Sequence, residues 1–365
     1  MESSKIKEQE LKNYIVNQWH QMGFVMVGNQ IATQTPESAR NVISWIKNKN
    51  LESKKIYIER AYSAILDHSI TASQLCPEKI KPRIIDCNKS EYFGNLFLGW
   101  RNLWWSMTYS GAVGRRLPIL MWDDYHNAPI GLWGLASHRY SKGGNGINKY
   151  ANNSLECRSG GALPPYSFLL GGKLTTALSL TDDVKNIFKQ TYGDDLYFTI
   201  TSAMYGKSPI YDRITINGIK MSHQYGYDSG SSEIHIMHFR DKLVKWGEEN
   251  LNPKTYYPKG SAIYPKEMAR IVLKHLGFKK PYYHGIVKPR YLHTTCLNIK
   301  DVLQHGSNPK MTKLSTETAF KWWYERWFKP RSKTLLSNPD YLNYDVENEL
   351  KTIFDKPIHR HLSLF

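Results

Sequence analysis

The sequence predicts a mixed α/β protein, an α+β core carrying helical additions at both ends. Three observations carry this. Apolar residues recur at helical spacing near the start, at Leu11, Tyr14, Ile15 and Trp19. The middle of the chain alternates β-like runs with short helix patterns. The last third holds well-marked helix starts and an excess of cations.

Taken in order, residues 5–21 form the first helix. Thr35-Pro36-Glu37 starts a second, with a hydroxyl cap, a proline in the first turn and an acid near the positive end. Val42, Ile43 and Ile46 share its inner face, and residues 54–67 make a third helix. A helical unit is therefore expected over 1–75. Pro77 and Pro82 mark a linker near 70–90. The Trp-rich stretch 96–108 reads as core. Leu117–Trp122 and Ile130–Leu135 are β-like runs joined by Asp123-Asp124-Tyr125-His126-Asn127, which is hairpin chemistry. Residues 141–161, rich in Gly, Asn and Ser, read as a long loop.

Phe168–Leu170 ends a strand, and helices follow over 172–180 and 182–191. Leu196–Thr201 is a strand, with two more at Ile214–Ile216 and Ile234–Met237. The mixed core thus spans 90–240, and a basic, mainly helical region fills 241–365. There, Pro265 opens a helix that Gly277 ends. Ser315 or Thr316 caps another, which runs to Phe328 before Pro330 stops it.

A chain of 365 residues with 41% hydrophobic and 22% charged residues is an ordinary soluble composition. Its formal charge of +17 is not ordinary, and it favours a polyanionic partner, most simply nucleic acid. Residues 240–365 carry 23 Lys/Arg against 12 Asp/Glu, a balance of +11. Phosphate contact is therefore expected toward the carboxyl end. Cys76, Cys87, Cys157 and Cys296 form no CxxC pair and read as reduced thiols. The polar N-terminus has no signal-peptide core, and no apolar run approaches the roughly 20 residues of a membrane span. A cytoplasmic protein without a membrane partner is expected.

The stretch Ser167–Asn217 is the most informative. An apolar run enters Gly171-Gly172-Lys173, where a helix begins, and glycines there permit close backbone approach while a helix start attracts anions. A Walker loop is excluded, because Ser167 and Leu174 stand where Gly and Ser/Thr would be needed. The acidic pairs at 123–124, 182–183 and 194–195 read as turn and cap residues, since neighbours on a strand point opposite ways. Asp124, Glu156 and Asp212 would make a cation site only if the fold gathered them. His235 and His238 fall on opposite faces of the expected strand, so no metal site is expected.

The segment FKWWYERWFKPR, residues 320–331, interleaves cations with aromatics. Phe320, Trp323 and Trp327 share one helical face and read as core, which leaves Lys321 and Arg331 for phosphate. Lys279, Lys280, Lys288 and Arg290 form a second basic cluster. Arg115 and Arg116 precede the hairpin, and Arg139 and Lys142 flank the glycine loop.

LLGGKL, YGDDLYFTITSAMYGKSPIYDRI and VGRRLPILMWDDYHNAPIGLWGLASHRY together resemble the DruA family over about residues 90–240. This resemblance implies a component of the Druantia bacterial anti-phage systems, working in the cytoplasm beside other subunits that include a large helicase-like protein. The order hairpin, strand, Gly-containing turn, helix, strand, Tyr-bearing segment also resembles the acetyltransferase fold of the GNAT superfamily. That likeness implies coenzyme A phosphates at Gly171, Gly172 and Lys173, and Tyr211 as the proton donor. The family's Gln/Arg-x-x-Gly-x-Gly/Ala spacing is absent. The sequence therefore fixes no cofactor.

Three functions stand open. The first is a nucleic-acid-binding defence component, with DNA as the expected partner. The second is a transferase or base-modifying enzyme with Tyr211 and Tyr205 near the reacting centre. The third is a scaffold whose basic surface meets an acidic protein.

Overall fold

The computed structural model describes residues 2–33, 35–49, 51–105, 114–138, 147–203, 208–228, 230, 233–252 and 264–355. The chain forms two compact units that interleave along the sequence. One gathers Met1–Asn50, Ala203–Lys207 and Tyr227–Pro289, and the other gathers Leu51–Ser202, Ser208–Gly226 and Arg290–Phe365. The three-part division expected along the chain thus meets an arrangement in which distant segments share a core.

The first unit holds α1 (Glu2–Met22), the hairpin β1 (Val25–Val27) and β2 (Gln30–Ala32), α2 (Pro36–Lys49), and two later helices, α8 (Arg240–Asn250) and α9 (Pro265–His275). The apolar face predicted for α1 is buried at Leu11, Ile15 and Trp19. The Trp19 ring packs against Phe278 at 4.8 Å, and its indole N–H donates to the His235 carbonyl at 2.9 Å. Residues 234–237 are not a strand. Turn hydrogen bonds run back from Ile236 and Met237 to the Glu233 carbonyl, at 2.9 and 3.0 Å. Ile234 and Ile236 are buried all the same, so burial and not pairing explains their apolar character.

The second unit is built on a seven-stranded sheet. Its strands are β3 (Pro82–Asp86), β4 (Arg116–Asp123), β5 (Ala128–Ala136), β6 (Ser154–Ala162), β7 (Phe198–Ser202), β10 (Ser222–Tyr227) and β11 (Pro289–Thr294). Their spatial order is β10-β11-β7-β6-β5-β4-β3. The predicted hairpin is β4/β5. Along β4, Ile119 and Met121 face a core shared with α6 (Gly171–Leu178) and α7 (Asp182–Tyr192). Leu120 and Trp122 face the opposite core, shared with α3 (Leu51–Arg60), α4 (Tyr62–Asp67) and α5 (Glu91–Trp104). Burial on both faces produces the continuous apolar run seen in the sequence. Trp100 of the Trp-rich segment is 1% exposed, in the core as expected.

β6 corrects the last part of the loop expected over 141–161, of which residues 141–146 lie outside the described residues. Its glycines are the reason it was hidden. A Cβ on Gly131 of β5 would lie 2.4 Å from the Gly161 carbonyl oxygen, so β5 and β6 approach more closely than side chains allow. β6 then pairs with β7 in parallel, over Ser154–Glu156 against Phe198–Ile200, with α6 and α7 between them in sequence. The small hairpin of β8 (Thr215–Ile216) and β9 (Ile219–Lys220) follows.

Beyond β11 come α10 (Ile299–His305) and α11 (Thr316–Trp323). Pro330 does not stop the last run. It continues as a π turn (Tyr324–Phe328), a short 3-10 turn (Lys329–Arg331) and α12 (Ser332–Leu336). α13 (Pro339–Leu342) and α14 (Val346–Asp355) complete the unit.

Candidate nucleic-acid interface

The glycine-lysine junction is a packed one. α6 begins straight after Leu170, whose φ of 59° turns the chain. A Cβ on Gly171 would lie 2.4 Å from the Tyr166 carbonyl oxygen, and one on Gly172 would lie 3.1 Å from Ile210. Lys173 is 6% exposed. Its ammonium donates to the carbonyls of Pro209 and Asp212 and so pins the loop 208–213. It also lies 4.1 Å from the centre of the Trp327 ring.

Trp327 arrives from the aromatic segment. The Ser315 hydroxyl caps α11 by accepting from the Thr318 N–H at 3.1 Å. The helix then widens into the π turn, an irregularity that gathers at functional sites. Trp323, Trp327 and Phe328 turn inward, at 1%, 8% and 3% exposure. The Trp323 indole donates to the Leu170 carbonyl at 3.1 Å, and the Trp322 indole to the Thr215 carbonyl at 2.6 Å. The buried Trp327 indole N–H has no hydrogen-bond partner among the described residues.

Cations surround this ring. The Arg326 and Arg331 guanidinium carbons lie 5.7 and 5.3 Å from its centre. Arg213 closes the pinned loop with φ at 60°. Arg213, Arg326 and Arg331 are exposed, and none forms an ion pair among the described residues. Burial pulls the Lys173 ammonium down to about 8; Asp212 opposes this, while Arg213, Arg326 and Arg331 add to it. Three arginines thus act on the Lys173 ammonium, and Asp212 works against them.

Tyr211 sits on the other side of the same loop. Its ring lies 5.2 Å from Tyr291 and 5.0 Å from His293, whose Nε2 is 2.8 Å from the Thr201 hydroxyl. Burial raises the Tyr211 hydroxyl and lowers His293 to about 3, so both are held neutral. Tyr205, Arg139 and Lys142 lie outside the described residues.

The remaining basic residues separate into roles. Arg115 is a clamp: it pairs with Asp194 at 2.5 Å and lies over the Tyr192 ring at 4.8 Å. Arg116 is exposed. Lys279 and Lys280 are exposed in the first unit, where Lys288 pairs with Asp228 at 3.6 Å. Lys321 is exposed on α11.

Arg290 lies 5.2 Å over the Tyr225 ring, on the sheet face that also carries the Arg158–Glu156 pair at 3.1 Å. Near them His138 is lowered to about 4, chiefly by burial. Asp124 pairs with Arg83 at 2.8 Å, so Asp124, Glu156 and Asp212 have separate partners. Among the described residues no group of three or more His, Cys, Asp or Glu is placed to hold a metal ion. Asp123 is a structural hub, accepting from Tyr166 at 2.8 Å and from the Lys81 and Tyr125 N–H groups at 3.0 Å.

Lys173 and Arg331 were visible in the sequence, 158 residues apart and without sign of each other. Arg326 lies among the cations of the aromatic segment, and nothing in the sequence distinguishes it from them. Arg213 carried no local signal, because only the return of its loop to Lys173 gives it a role.

No solved structure matches the chain, so the likeness of its core to acetyltransferases has no counterpart there. The family described as Druantia protein DruA matches residues 34–305. Druantia protein DruA of Escherichia coli (strain UMEA 4076-1) is 26% identical over 371 aligned residues, which cover 92% of this chain and 90% of that protein. The match takes in the sheet, the glycine-lysine junction and the Arg213 loop, and on this evidence the chain belongs to the DruA family.

Proposed function

We propose that this protein is a component of a bacterial anti-phage defence system of the Druantia kind, and that it binds nucleic acid, DNA first of all, through the cations around Trp327. Membership of the DruA family supports the defence role. It also supports work in the cytoplasm beside other subunits, a helicase-like protein among them. No helix among the described residues is long and apolar enough to cross a membrane.

The observation that carries the nucleic-acid reading is the pair of exposed arginines, Arg326 and Arg331, that lie with Lys173 over one indole, with the exposed Arg213 acting on the same ammonium; none of the three arginines has an acid partner among the described residues. Such a concentration of positive charge is costly unless an anion meets it. Arginine forks suit phosphate oxygens. Trp327 is nearly buried, so the grip falls on the backbone of the strand and not on stacked bases. Binding with little sequence preference follows.

The test is fluorescence anisotropy with single- and double-stranded oligonucleotides over a salt series. Arg326→Glu/Arg331→Glu is expected to weaken binding at least ~10-fold and to reduce the salt slope by about 2. Unchanged affinity and slope in that variant would overturn the reading.

A further inference from the structure

We infer that the open pocket between the β8/β9 hairpin and the chain beyond β11 is a binding site for one nucleoside phosphate unit. Its volume is about 420 Å³. That lies within the ~300–1,000 Å³ usual for small-molecule sites and exceeds what a bare phosphate needs. The lining combines two chemistries. Lys220 and Lys300 bring ammonium groups beside the His223 imidazole, and Ile219 and Leu297 bring apolar surface. Leu297 is 53% exposed, an apolar surface left open beside charged groups. Asp301 completes the rim.

These groups fit the parts of a nucleotide. Two ammonium groups meet phosphate oxygens. The Ile219 and Leu297 side chains meet the face of a base. The Asp301 carboxylate accepts from a ribose hydroxyl or a base amino group, and it disfavours a second phosphate beside it. Lys220 and Lys300 are exposed, and neither forms an ion pair among the described residues. His223 feels both, since burial and the two lysines lower its imidazole. Its Nε2 is engaged with the Lys220 carbonyl at 3.0 Å, which fixes the ring against the pocket wall.

The hairpin that lines the pocket also reaches the aromatic segment. Lys220 stands opposite Thr215 across the hairpin, and the Thr215 carbonyl receives the Trp322 indole. The unit can therefore be a free nucleotide or one residue of a strand gripped next door. The second source rests on the nucleic-acid reading above; the first does not.

The test uses the full chain with two probes, N-methylanthraniloyl-labelled ATP and a fluorescein-labelled oligothymidylate. Lys220→Glu/Lys300→Glu is compared with Arg326→Glu/Arg331→Glu, and melting curves check that both fold. Labelled ATP bound by the wild type and by the arginine variant, but weakened at least ~10-fold in the lysine variant, supports a free-nucleotide site. No binding of labelled ATP, with oligothymidylate weakened about tenfold in the lysine variant and photo-crosslinked to residues 294–301, supports a strand subsite. A lysine variant that binds both probes as the wild type does overturns the inference, while the arginine variant still judges the Trp327 cluster separately. Binding of neither probe by the wild type overturns both.

Discussion

Lys173 does two things with one ammonium: it holds the loop 208–213 by two carbonyls, and it lends charge to the ring of Trp327. Lys173→Met keeps much of the side-chain volume but leaves both carbonyls without that donor. The expected cost is about 2–4 kcal/mol of stability, read by urea denaturation, because buried acceptors lose their partner. Binding should fall as well, since Arg213 rides on the same loop. Arg331→Gln, on an exposed residue whose guanidinium donates to the Arg326 and Trp327 carbonyls, should cost no more than about 1 kcal/mol in urea denaturation and weaken oligonucleotide binding several-fold.

Four imidazoles give a pH signature. Burial lowers His138 and His235 to about 4, and His284 and His293 to about 3, from an ordinary 6.5. The unfolded chain therefore takes up these protons first as the pH falls. Stability is full above about pH 6.5 and drops as the pH falls toward 4, by roughly 1–3 kcal/mol for each imidazole. Melting temperature measured between pH 7 and 4 checks this. A flat profile would mean that the rings are not sealed as described. No sequence pattern announced these burials, because a histidine reads alike inside and out.

At the scale of elements, what the sequence disclosed and what it withheld have the same cause. β4 and β5 are buried on both faces and show themselves as apolar runs. β6, SLECRSGGA, lies between β5 and β7 and yet reads as a loop, because close approach demanded glycine where side chains would have signalled a strand. Gly131→Ala tests that demand. Its Cβ would meet the Gly161 carbonyl, a backbone atom with no rotamer to yield, and a loss of about 1–3 kcal/mol is expected in a melting experiment. The aromatic segment was legible as an inward face, but its π turn was not. The indoles that lead into that turn are held by the Leu170 and Thr215 carbonyls, which are distant in sequence.

For the whole molecule, the charge of +17 sets how it meets a partner. If phosphate contact dominates, affinity for duplex or single-stranded DNA should fall at least ~100-fold between 50 and 200 mM salt. Affinity that persists across that range would direct attention to an acidic protein instead. The sequence divides the chain into three consecutive regions, whereas the two compact units interleave along it. That arrangement depends on contacts such as Trp19 with Phe278, which sequence proximity never brings together.

The interleaving also bears on birth at the ribosome. Trp19 and Phe24 emerge early, whereas His235 and Phe278, against which they finally rest, are more than two hundred residues away. At about 5–20 residues per second the nascent amino-terminal stretch waits on the order of 10–50 seconds for its companions. Through that interval it offers greasy surface to whatever is near, so chaperone dependence during translation, and failure of a separately expressed 1–50 fragment to acquire structure, are the expected marks of a chain threaded this way.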